Sequence, residues 1–221
     1  MRESSPLVGG LSGVKLIRGT LKDEAISVVR RALMSGAMEP GKIYSANSLA
    51  VQLGVSNSPV REAMMALSAK GLLEVVRNRG FRVVEMTVQD QLEVYDLRLL
   101  IEVNSIGRLA EMSFAEPDTA RLRELAQATV TKADPHNMLE FLESDQHFHL
   151  SLIEMLDNSR LLAIIENLRD QSRINDTYRL LEHGRLQHSA AEHGLILDAI
   201  LAGNRPLAER LMTEHLDYSK P

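Results

Sequence analysis

Residues 45–84 read SANSLAVQLGVSNSPVREAMMALSAKGLLEVVRNRGFRVV: a short helix, a tight turn, a second helix and an extended pair, in an order that few folds satisfy. Ser45 can cap the first helix, whose Leu49, Ala50 and Leu53 share one face, and Gly54 supplies the break. Ser58 before Pro59 reads as the N-cap of the second helix, with proline where its missing N–H costs nothing. Val60, Ala63, Met64, Leu67 and Leu72 follow at helical spacing. Helices joined by so tight a turn cross steeply, which leaves the N-terminal end of the second protruding, as it must to enter a DNA major groove. After Gly71 the period becomes extended, and Arg77-Asn78-Arg79-Gly80 divides Leu72–Val76 from Phe81–Val84 as the basic tip of a hairpin. Two arginines there suit phosphates or a narrow groove, and Gly80 permits close backbone approach. The helices alone are equally consistent with two packed helices of an ordinary domain; the basic hairpin turns the reading toward a winged helix-turn-helix on DNA. Its expected DNA-binding residues are Asn47, Asn57, Ser58, Arg61, Arg77, Arg79 and Gly80.

These residues also resemble GntR-type transcriptional regulators. The matching pieces are Met38-Glu39-Pro40-Gly41, Leu49-Ala50 with Leu53-Gly54-Val55-Ser56, Ser58-Pro59-Val60-Arg61-Glu62-Ala63, Gly71-Leu72 and Arg79-Gly80-Phe81. One departure stands out. Asn57 occupies the position, immediately before the recognition helix, where the family usually has an arginine able to reach guanine or phosphate.

The net charge of −5 looks wrong for a DNA binder until it is divided along the chain. Residues 1–86 hold 12 basic against 7 acidic residues, and the remainder holds 13 against 23. A basic reading head on an acidic sensor body predicts this asymmetry. A length of 221 residues, 44% of them hydrophobic, suffices for two cores. The absence of cysteine excludes disulfides and thiolate metal sites. No apolar run approaches a membrane span and the N-terminus lacks a signal-peptide pattern, so the expectation is a soluble cytoplasmic protein without membrane partners.

Residues 1–20, with four glycines and no sustained period, read as a mobile arm; 21–86 as the winged helix-turn-helix, opened by a helix from Leu21 to about Gly36; and 87–221 as an all-α bundle. The bundle reads as six helices: from Thr87, a capping candidate, to about Ser113, then about 117–133, 137–156, 159–182, 185–202 and 206–219. The expected class is therefore mostly α, with one small β-hairpin wing. The bundle resembles the ligand-sensing FCD domain of the FadR branch of GntR-type regulators. Asp145, Phe148-His149, Asn158, Glu192-His193, Ala199-Ile200, Gly203, Ala208 and His215-Leu216 carry the likeness, and six helices rather than seven are more similar to the VanR subgroup.

Asp145 and His149, four apart, share a helix face, and His193 and His215 sit on or beside apolar stripes of two later helices. Turning three imidazoles and a carboxylate inward is costly unless something pairs with them, and a divalent cation does so. Singly, each histidine reads as a surface or hydrogen-bonded residue. Together they match the metal positions of the resembling family, and one carboxylate with three imidazoles suits Zn, Ni, Mn or Fe. Arg98 reads from the residues alone as a solvent-facing ion pair with Glu102; the resemblance instead implies an arginine that faces the cavity and binds the carboxylate of a small acid effector. Arg169 and Arg173 are further candidates for that pocket.

The expectation is a metabolite-responsive regulator, a repressor, that binds a palindromic operator as a homodimer and has no catalytic step. Two alternatives stand beside it. The metal could be purely structural and DNA binding constitutive, or the bundle could be a metal-dependent hydrolase; against the latter, the chain has no His-Glu-x-x-His, no Gly-x-Ser-x-Gly and no phosphate-binding loop.

Overall fold

Ala25, Val28, Val29, Ala32 and Leu33 recur three and four apart, and in the computed structural model they form the buried stripe of α1 (Leu21–Met34), which packs across α3 (Asn57–Ala69). The described residues are 21–176 and 184–221. The expected N-terminal arm, and the end of the helix expected to reach residue 182, lie outside them. The chain divides into two units between Met86 and Thr87.

In the first unit α2 (Ala46–Leu53) begins as expected, Ser45 Oγ accepting from the Ser48 N–H at 3.4 Å, and ends at Gly54 in the left-handed region, φ 68°. The second cap differs from expectation. Helix α3 opens at Asn57, and the residue with the extended backbone of an N-cap is Ser56, not Ser58. Pro59 therefore falls in the third helical position, where the N–H again has no intrahelical acceptor to lose. Ser58 Oγ is instead turned to Glu62 Oε1, at 2.9 Å.

The extended pair is β2 (Leu73–Val76) and β3 (Gly80–Val83), but the sheet has a third member, β1 (Ile43–Tyr44), and its antiparallel order is β1-β3-β2. This accounts for Gly80. Its φ is 131°, and a Cβ there would lie 2.3 Å from the Tyr44 carbonyl oxygen, so the close approach it permits is by the chain's own first strand. The tip proper is Arg77-Asn78-Arg79, with Asn78 at φ 60° and the turn closed by the Arg79 N–H on Val76 O at 3.0 Å. Leu49, Val60, Met64, Leu67, Leu72, Leu73, Phe81 and Val83 fill the core. Each such side chain contributes about 1.5–3 kcal/mol of burial.

The second unit opens on the Thr87/Asp90 capping box of α4 (Val88–Arg98), followed without a break by a π-helical turn (Leu99–Val103) and α5 (Asn104–Leu109). This rod ends earlier than the expected Ser113. The wider turn frees carbonyls that side chains recover: Asn104 Nδ2 donates to Leu100 O and Ser105 Oγ to Ile101 O, both at 2.7 Å. Then come α6 (Glu116–Thr131), α7 (Met138–Glu154), α8 (Ser159–Asp176), α9 (Leu186–Leu201) and α10 (Arg205–Leu216), with a closing 3₁₀ turn at Asp217–Ser219. The described residues of this unit thus form six rods and no strand. Ile106, Leu109, Leu122, Phe148, Leu152, Ile196, Leu197, Ile200, Met212 and Leu216 form one core, beside which lies a buried polar chamber. Among the described residues no helix is long and apolar enough to cross a membrane.

Candidate nucleic-acid interface and candidate metal centre

In the first unit the N-terminal ends of α2 and α3 and the hairpin tip enclose an open cleft of about 480 Å³. Asn47 from α2, Asn57 and Arg61 from α3, and Arg77, Arg79 and Gly80 from the hairpin all line it. Six of the seven residues expected at DNA are thus brought to one place. Ser58 is not; its hydroxyl is committed to Glu62. Asn78, unforeseen, lines the same cleft, and its only sequence signal was its place between the two arginines.

In the second unit α7, α9 and α10 bring Asp145, His149, His193 and His215 together, with one ligand atom from each lying within 4.8 Å of the others. All four are buried. His149 Nε2 is 3.2 Å from both His193 Nε2 and His215 Nε2. The opposite nitrogens are engaged: His193 Nδ1 lies 3.1 Å from Ala190 O and 2.8 Å from Thr129 Oγ1, and His215 Nδ1 lies 2.8 Å from Glu192 Oε2. Acceptors at Ala190 and Glu192 suit the Nδ1–H tautomers of His193 and His215, in which both Nε2 lone pairs face His149 Nε2. Asp145 Oδ1 joins them, 3.1 Å from His193 Nε2 but without the alignment of a hydrogen bond. Lone pairs so crowded repel unless a shared proton or a cation lies among them, and nitrogens bonded at about 2.0–2.1 Å to one tetrahedral cation sit about 3.3 Å apart. The donor set therefore fits a divalent metal.

Helix α8 and the π turn supply the surroundings. Glu102, on that turn, accepts from Arg98 Nε at 2.6 Å and from Arg169 Nη1 at 2.7 Å; Arg169 Nη2 donates to Asp145 Oδ2 at 2.7 Å. Arg173 donates to Asp145 Oδ2 and to Gln146 Oε1. Arg98 Nη1 also donates to Ser172 Oγ and Ser219 Oγ, at 3.1 and 3.2 Å. The ion pair of Arg98 with Glu102 exists, but it is buried rather than solvent-facing, each side chain being 2% exposed. Sequence reasoning missed Glu102, Gln146, Ser172 and Ser219 as members of the chamber; only Glu102 carried a signal, its four-residue spacing from Arg98.

The electrostatics follow from burial and these pairs. Burial acts to raise the Asp145 carboxyl, but Arg173 and Arg169 outweigh it and hold it well below the usual range; Arg98 and Arg169 do the same, less strongly, for Glu102. Burial lowers His149 far below an ordinary imidazole, with Arg169 adding to it, and lowers His193 as well, which keeps both neutral and able to ligate. Burial pushes Arg173 down to about 10, so it stays charged at neutral pH.

A cleft bearing arginines on a winged helix-turn-helix and a buried donor set in a helical bundle coincide with two known families. Residues 21–83 match the gntR family of bacterial regulatory proteins, and residues 93–218 match the FCD domain. The chain is a GntR-family regulator with an FCD domain. The GntR helix-turn-helix binds DNA and FCD domains bind small-molecule effectors; the family is one of transcriptional regulators, not of enzymes. This GntR chain is 29% identical over 200 residues to the gluconate operon transcriptional repressor of Bacillus subtilis (strain 168), covering 86% of this chain and 79% of that one. It is 25% identical over 207 residues to the HTH-type transcriptional regulator McbR of Escherichia coli (strain K12), covering 93% and 92%. The solved structure of E. coli McbR/YncC superimposes with a TM-score of 0.79 at 24% identity, over 90% of this chain and 95% of the other, and so shares its fold.

Proposed function

We propose that this GntR regulator is a metabolite-responsive repressor that binds a palindromic operator as a dimer and answers a small carboxylic acid at a metal site in its FCD domain. One observation carries the reading: the buried chain Arg98–Glu102–Arg169–Asp145 ends on the three converging imidazoles, so an arginine fork and a cation seat share one chamber. A divalent cation (Zn, Ni, Mn or Fe) held by Asp145, His149, His193 and His215 would supply a Lewis-acidic seat for a carboxylate oxygen. Arg98, Arg169 and Arg173 supply the fixed positive field that favours an anion in a water-poor chamber. An acid that binds there acts on DNA only by favouring one arrangement of the reading heads over another.

Dimerisation follows from the reading task, since a single head reads too few base pairs for a useful specificity ratio. The first rod of the bundle is the proposed contact; Val88, Leu97 and Leu100 leave apolar side chains exposed along it. The deciding experiment is a thermal-shift screen of the full chain against a panel of mono- and dicarboxylic acids, with and without zinc, with each hit tested for release of operator DNA. The expected result is at least one acid that stabilises the zinc-loaded chain more than the zinc-free chain and changes its DNA affinity. Stabilisation indifferent to metal would remove the metal from sensing. The dense internal pairing of the chamber favours a second reading, a structural metal, under which chelation melts the bundle instead of merely abolishing the response to acid.

A further inference from the structure

We infer that Asn57 is a specificity-determining residue, reading an adenine in each operator half-site about two base pairs from the base read by Arg61. An asparagine at the start of a helix is ordinarily consumed as its cap. Here the cap position belongs to Ser56, which leaves Asn57 one residue inside α3, exposed, at the wall of the cleft that Arg61 and the two hairpin arginines also line. Its side chain is neutral and adds nothing to phosphate neutralisation, which three guanidiniums nearby already provide. What a carboxamide offers is one donor and one acceptor side by side. Adenine alone presents the complementary pair in the major groove, its N6 amino group and N7; the guanine edge, O6 with N7, sets two acceptors against the amide and leaves its oxygen facing an acceptor. Arg61, four residues on and so on the same face, has the two parallel donors that guanine requires. Four residues advance about 6 Å along a helix, and base pairs are stacked about 3.4 Å apart, which separates the two readings by about two steps.

The inference rests on the cleft being the DNA-binding surface, and the test keeps the two apart. The full chain, Asn57→Ala, Asn57→Arg and Arg61→Ala are each used to select from a library of randomised duplex DNA, with thermal melting to show that each is folded. The wild type should return a two-fold motif in which Arg61→Ala relaxes one G·C pair and Asn57→Ala lowers the preference for an A·T pair about two steps away by about 5- to 150-fold. Asn57→Arg should convert that pair to G·C. A wild-type motif that Asn57→Ala leaves unchanged, or an Asn57→Arg motif that keeps its adenine, overturns the role of Asn57 while leaving the interface standing. A wild-type chain that enriches no sequence overturns both.

Discussion

The two units place arginine in opposite settings. Arg61, Arg77 and Arg79 stand exposed around an open cleft, whereas Arg98, Arg169 and Arg173 are buried and held by carboxylates, amides and hydroxyls of their own chain. Exposed guanidiniums contribute little to folding and keep their charge available to a polyanion. Buried ones are bound up with stability, because each also neutralises a carboxylate that burial would otherwise make costly. The same substitution should therefore fail in different assays on the two sides.

The sharpest break should come at Arg169, which satisfies Glu102 and Asp145 together. Arg169→Ala leaves both with less compensation and should cost the bundle about 3–5 kcal/mol, read from denaturant unfolding of the full chain. A loss under about 1 kcal/mol would mean that the carboxylates find other partners and that the contrast between the units is one of exposure alone.

Next in size is the metal. Zinc at a hundredfold excess over its Kd should stabilise the wild type by about 2.7 kcal/mol. His193→Ala should lose that stabilisation and its bound metal, whereas Arg98→Ala should keep the metal and lose the stabilisation by acid. Metal analysis beside calorimetry separates the two variants. If His193→Ala unfolds the bundle outright, the structural reading of the metal takes over.

On the exposed side the effect moves from folding to DNA. Arg61→Ala should weaken operator binding by about 1–3 kcal/mol at fixed salt while changing folding stability by no more than about 0.5 kcal/mol. Unchanged affinity in a folded protein would place α3 outside the groove.

What was legible in the sequence was what short-range geometry decides. Ser45, Gly54 and Thr87 mark their helix ends through contacts within four residues, and Asp145 with His149 share a face because of their spacing. What escaped depends on partners distant in sequence. Strand β1 is two residues long, too short for any period, and exists only because β3 accepts it; the same pairing explains Gly80, which sequence assigned to the tip. Glu102 reads as a surface partner of Arg98 until Arg169, 67 residues later, draws both inside. Ser56 and Ser58 are the same residue type two positions apart, so residue type could not choose between them; Ser56 takes the extended backbone of the cap, without a side-chain capping bond.

The smallest effect should appear at the hairpin, and it tests whether exposure alone makes an arginine useful to DNA. Arg77 and Arg79 sit at the tip, while Arg82, on the same hairpin, lies opposite Glu74 across the strand pair with its guanidinium 3.6 Å from that carboxylate. Replacing Arg77 and Arg79 together should reduce the slope of log affinity against log salt by about one to two, one counterion-releasing contact for each, with little change in the preferred sequence. Arg82→Ala, whose charge is already offset by Glu74, should leave the slope within about half of one contact. A double variant that keeps the wild-type slope would show that the hairpin does not touch the phosphates, and an Arg82 variant that lowers it as much as the tip pair would show that local ion pairing does not decide which exposed arginines reach DNA.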